Sequence, residues 1–157
     1  MMSQFMENQR HLVRRFFTSI SKRPPTANDI AWVNEMLLAS EFDIWKRLKP
    51  HDQRHSIEVA RRFTDLHPAF TRDEVAAALL HDIGKVESAL GVMGRVMATI
   101  VGPKGTKFQE YHNHEVIGLN LCREAGSSVE TLRLLDWSTT ESRNDPIVKL
   151  LFQSDQI

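Results

Sequence analysis

The chain has a single cysteine, no surplus of charge of either sign and no long apolar run, and each shortage closes a class of function. Cys122 cannot form an internal disulfide, so the chain is not a disulfide scaffold. A lone thiol fits a reducing, cytoplasmic setting, with Cys122 on the inner side of a helix. Twenty lysines and arginines balance twenty aspartates and glutamates. No overall field then favours nucleic acid or an anionic membrane, and no nucleic-acid partner is expected. No stretch approaches the roughly 20 apolar residues of a transmembrane segment. Phe16, Phe17 and Ile20, between Arg14-Arg15 and Lys22-Arg23, do not make the continuous apolar core of a signal peptide. Internal repeats and low-complexity segments are missing too, and no segment reads as a strand.

What remains is helical periodicity over 157 residues, enough for one domain with a real core. Phe5, Leu12, Val13, Phe16, Phe17 and Ile20 recur at helical spacing over residues 1–20. Pro24-Pro25 ends that element. A second helix is expected from about Asn28 to Leu48, with Ser40-Glu41 as an interruption and Trp32 and Trp45 in the core. After Lys49-Pro50 a helix carries His55, Val59 and Phe63 in one row, so His55 continues an apolar stripe; His51 lies one turn before it. Two readings stay open for His55: a core histidine bonded to a backbone carbonyl, or a ligand.

Thr71-Arg72-Asp73-Glu74 reads as a capping box. The helix it opens runs through Val75 and is expected to reach Lys85, delivering His81 and Asp82 near its end, with Gly84 at a bend. Residues 91–101 hold Val92, Met93, Val96, Met97, Ile100 and Val101, read as a core helix, a mobile cover over a site or an interfacial membrane contact. Gln109 to Ala125 is helical, stopped by Gly126, with His114, Ile117 and Leu121 on one face. Ser127-Ser128-Val129-Glu130 reads as a second capping box, and Asp145-Pro146 as the start of the last helix. There Asp155 follows Leu151 by one turn, either as a surface residue at a frayed end or as a ligand. These elements predict an all-α, single-domain bundle of about six to eight helices. Residues 1–49 would pack on a motif-bearing core of residues 50–157.

An apolar helical run that ends in adjacent His81 and Asp82 places a carboxylate where it needs a partner, hydrogen bonds or a metal. With His55 and Asp155 the chain offers two histidines and two carboxylates on apolar faces. That donor set suits one divalent ion in an octahedral shell: Mn, Fe, Co, Ni or Mg, with Zn less well matched.

Three segments carry a resemblance: Asp52-Gln53-Arg54-His55-Ser56, then Ala78-Leu79-Leu80-His81-Asp82-Ile83-Gly84-Lys85, then Leu150-Leu151-Phe152-Gln153-Ser154-Asp155. In this order the chain resembles the HD-domain superfamily of metal-dependent phosphohydrolases. Tyr111-His112-Asn113-His114-Glu115-Val116-Ile117-Gly118 looks like the family segment that brings a further histidine to the site. The resemblance implies hydrolysis of a phosphate mono- or diester, of a nucleotide or related small molecule. It implies a metal held by His55, His81, Asp82 and Asp155. Asp82 would also orient the attacking water. Lys85 and His114 would neutralise phosphate oxygens, and Arg54 is a further phosphate candidate.

Departures narrow this reading. Two-metal members carry extra histidines where Leu134–Glu141 has none, which argues for one metal; His51 is the nearest substitute. Lys85 stands where members acting on nucleoside monophosphates or guanosine tetraphosphate often have an acid. The glycine-tyrosine-proline signature of cyclic dinucleotide hydrolases is absent. An alternative class is a catalytically silent HD domain that binds a nucleotide or a protein partner. Metal content and turnover of a generic phosphodiester discriminate the two.

Overall fold

The computed structural model describes residues 23–87 and 114–156 in full and the backbone of residues 88 and 106–113. The helix expected over residues 1–20 and the amphipathic segment 91–101 lie outside the described residues. Among those described, the chain forms helices and no strand. Seven are of seven residues or more, and two are single turns. In chain order they are α1 Ala27–Met36, α2 Ala39–Trp45, α3 Pro50–Leu66, α4 Arg72–Leu80, α5 Lys85–Ser88, α6 Thr106–Glu124, α7 Val129–Leu135, α8 Thr140–Asn144 and α9 Pro146–Gln156. Among the described residues no helix is long and apolar enough to cross a membrane.

The bundle is built around α4. Thr71 caps it by accepting from the Glu74 amide, and the Glu74 carboxylate accepts from the Thr71 amide at 2.8 Å. Val75, Ala76, Ala77, Ala78, Leu79 and Leu80 are each no more than 1 % exposed. A helix apolar all round must be covered on every side, and α1, α3 and α7 pack against it. Three consecutive alanines let the neighbours approach closely. In turn α9 lies against α3, so the helices that carry His55 and Asp155 are direct neighbours.

Three local expectations are corrected. The segment from Asn28 to Leu48 is two helices, broken at Leu37-Leu38 rather than at Ser40-Glu41. Glu41 instead starts the second helix, because its carboxylate accepts from the Leu38 amide at 2.8 Å. The second capping box is shifted: Ser128, not Ser127, accepts from the Thr131 amide, and Glu130 pairs with Arg133. Finally, α4 stops at Leu80, before the His-Asp pair, and residues 81–84 form a turn with i→i+3 bonds from Ile83 to Leu80 and from Lys85 to Asp82. A Cβ at Gly84 would collide with the His114 carbonyl of α6, and one at Gly118 would press on Gly84 and Ile83. The turn is thus the place where α6 crosses the chain with no side chain between them.

Candidate metal centre

His55 comes from the middle of α3, His81 and Asp82 from the turn after α4, and Asp155 from the last turn of α9. Their side chains meet. His55 Nε2 lies 2.9 Å from Asp155 Oδ1 and 3.9 Å from Asp82 Oδ2. His81 Nε2 lies 3.5 Å from Asp82 Oδ2 and 3.8 Å from Asp155 Oδ1. One ligand atom each from His55, His81 and Asp82 fits within a 4.8 Å span. Donor atoms about 2.1 Å from one ion stand roughly 3 Å apart when adjacent and about 4 Å apart when opposite, and the four nitrogen–oxygen separations fall in that range.

The decisive detail is at His81. Its Nδ1 lies 2.8 Å from the carbonyl oxygen of Ala78. A carbonyl can only accept, so Nδ1 carries the proton, and in the neutral ring Nε2 is a lone pair. That nitrogen is buried, has no hydrogen-bond partner among the described residues and faces two carboxylates. Acceptors gathered around one another in the interior are costly, and a divalent cation removes the conflict. A histidine fixed by a backbone carbonyl through its other nitrogen is the usual arrangement of a metal ligand. The donor set therefore fits a divalent metal.

Asp82 is held ionised. Burial opposes its charge, but the Lys85 ammonium bonded to it keeps its carboxyl below the usual range. Lys85 lies with its Nζ 2.5 Å from Asp82 Oδ2 and 3.7 Å from Asp52 Oδ1. Burial works against the ammonium, and Asp82 and Asp52 more than offset it, so its pKa is raised. Lys85 therefore brings its positive charge to Asp82, besides lining the cavity where the resemblance implies that it meets phosphate.

A cavity of about 430 Å³ opens on this cluster. His55, His81, Asp82, Lys85, His114 and Asp155 all line it, beside an apolar wall that includes Trp137 and Phe152. His114 therefore faces the cavity with the ligand candidates. Arg54 does not line it; its guanidinium donates to the Arg23 carbonyl. One step along a helix turns a side chain by about 100°, so the neighbour of a site-facing His55 points elsewhere. His51 does not line it either, and its Nε2 lies 3.2 Å from Asp52 Oδ2.

Sequence reasoning missed Asp52, which lies beside Lys85, and Glu115, Trp137 and Phe152, which line the cavity. Phe152 had a signal, since it precedes Asp155 by three positions on one helix. Trp137 had none, because it lies beyond the end of α7.

A family model described as HD domain matches residues 53–155, a span that runs from just before His55 to Asp155 itself. No curated protein and no solved structure matches the chain.

Proposed function

Because the chain belongs to the HD domain family, we propose that it is a phosphohydrolase that cleaves a phosphate mono- or diester with one divalent metal held by His55, His81, Asp82 and Asp155. The observation that carries this reading is the partnerless lone pair of His81 Nε2 among His55, Asp82 and Asp155. When bound, the metal lowers the pKa of a water and polarises a phosphoryl oxygen. The chain's own residues supply the rest. The Ala78 carbonyl fixes the His81 tautomer. Asp82, kept ionised, has a second carboxylate oxygen with which to orient the attacking water. Lys85 and His114 stand on the polar side of the cavity to neutralise phosphate oxygens. Arg54 is left out of this reading because it is off the cavity wall. The whole chain is read as one domain, residues 1–49 packing on the core of residues 50–157.

A second reading has its own observation. The Lys85 ammonium already occupies the Asp82 oxygen that faces the histidines. If that pair holds during binding, the domain recognises a nucleotide or a protein partner without turnover. Protein purified without a histidine tag is assayed for metal and then for release of nitrophenol from bis-p-nitrophenyl phosphate with added manganese. About one metal per chain with turnover supports the hydrolase. Stoichiometric metal without turnover, there and across a broad panel of phosphate metabolites, selects the second reading. Absence of metal affinity sinks both.

A further inference from the structure

The cavity lining is of two kinds. His114, Glu115 and Lys85 contribute polar groups to it, while Trp137, Phe152 and Leu151 contribute apolar surface. Trp137 is half-buried, and it uses its only polar donor internally, through a 2.7 Å bond from Nε1 to the Leu134 carbonyl. That bond fixes the ring by its edge and leaves the indole with nothing but its faces to offer a ligand. Phe152 braces it, with ring centroids 4.7 Å apart and planes tilted by 50°. Both rings are packed against the buried core, so the platform has a firm backing.

The platform also has a fixed offset from the chemistry. Phe152 and Asp155 are three positions apart on α9, a spacing that puts their Cβ atoms about 5–6 Å apart. A phosphate at the His-Asp cluster thus has a flat apolar surface one helical turn away, a distance that a pentose or a direct aryl link covers. The cavity volume of about 430 Å³ accommodates both parts of such a molecule.

We propose that Trp137, braced by Phe152, is the specificity-determining surface of the site, and that it selects phosphate esters bearing a planar ring close to the phosphorus. This rests on the reading of the cluster as a phosphate-ester site. Stacking on an aromatic side chain tolerates any base, because every base has a π-face. The ring alone is therefore the shared chemistry of an aryl and a nucleoside ester.

Three diesters of equal charge test it by calorimetry on the manganese-loaded chain: diethyl phosphate, diphenyl phosphate and the methyl ester of adenosine 5′-monophosphate. A ring-bearing ester is expected to bind about tenfold tighter than diethyl phosphate. Trp137→Ala should bring the esters to within about twofold of one another and leave diethyl phosphate unchanged, while Trp137→Phe keeps most of the preference. Phe152→Leu is the second variant, read in the same way should Trp137→Ala not fold. A gain for diphenyl phosphate alone assigns an aryl ester; a gain for the adenosine ester assigns a nucleoside. Equal binding of all three, no binding of any, or a preference that survives Trp137→Ala overturns the proposal. Phosphate-ester cleavage is followed in parallel. A preference without cleavage leaves the platform standing and defeats the hydrolase reading; cleavage without a preference does the reverse.

Discussion

Two buried polar groups in this protein have opposite fates. Glu41 is 1 % exposed, yet its carboxylate is complete: Oε2 accepts from the Leu38 amide and Oε1 from the Ser127 hydroxyl at 2.6 Å. It ties the start of α2 to the loop before α7. Nearby, burial first and then the Glu41 charge push the Cys122 thiol up to about 12, so that corner of the core is chemically quiet. The His55–His81–Asp82–Asp155 cluster is the reverse. Among the described residues the His81 Nε2 lone pair has no hydrogen-bond partner, although two carboxylates lie 3.5 and 3.8 Å from it. The comparison teaches that burial does not mark a site. The unpartnered lone pair does: Glu41 is satisfied by its own chain, whereas His81 Nε2 is not satisfied by the described residues.

The largest expected difference is in response to metal. Manganese at about a hundredfold excess over its dissociation constant should stabilise the chain by roughly 2.7 kcal/mol, read as a rise in melting temperature. His81→Ala and Asp155→Ala should each remove that rise. A full rise in Asp155→Ala would reduce Asp155 to a surface residue.

Glu41→Ala should do the opposite. It leaves the Leu38 amide and the Ser127 hydroxyl without their partner, at about 1–3 kcal/mol for each such group, and chemical denaturation should show a loss of at least about 2 kcal/mol. The manganese rise should persist. If it vanished, the two polar centres would not be independent and the contrast would fail.

A smaller effect tests the start of α9. Asp145 caps it, accepting from the Ile147 amide at 2.7 Å, and also takes Arg133 Nη1 at 2.7 Å. Burial opposes its charge, but Arg133 and the Ile147 and Val148 amides outweigh that and hold its carboxyl below 3.8. A lowered folded pKa stabilises above the unfolded value and is lost as pH falls through the folded one. Asp145→Ala should therefore cost about 1 kcal/mol at neutral pH, with the deficit shrinking below about pH 4. Denaturation midpoints of both proteins across that range check the sign.

The smallest expected effect is at the other end of α9, where Arg62 Nη1 donates to the Ser154 carbonyl at 3.2 Å. Arg62→Leu should lose about 0.5 kcal/mol and speed amide exchange in the last turn. Unchanged exchange there would show that the Arg62 bond does not order the turn that carries Asp155.

Wherever a residue continued an apolar helical stripe, the sequence disclosed it. His55 with Val59, Asp155 with Leu151 and the run ending at His81 were legible in this way, and so was the all-helical class. Positions without periodicity were not. The arrest of α4 at Leu80 depends on α6 crossing at Gly84, which no local pattern encodes. Trp137 reaches the cavity from beyond a helix end, and Asp52 matters only because Lys85 folds back toward it. Arg54 does not line the cavity, because adjacency in sequence to His55 is not adjacency on a helix.

The contact between His55 and Asp155 joins positions a hundred residues apart. Closing so long a loop costs entropy before its contacts repay it. The cluster is complete only when α9 docks on α3, and if that docking follows the folding barrier it is a late arrival. Metal should leave the rate of refolding nearly untouched and slow unfolding instead, because interactions absent from the transition state act on escape from the native state. The ion would work as a latch on a finished bundle rather than as a seed for it.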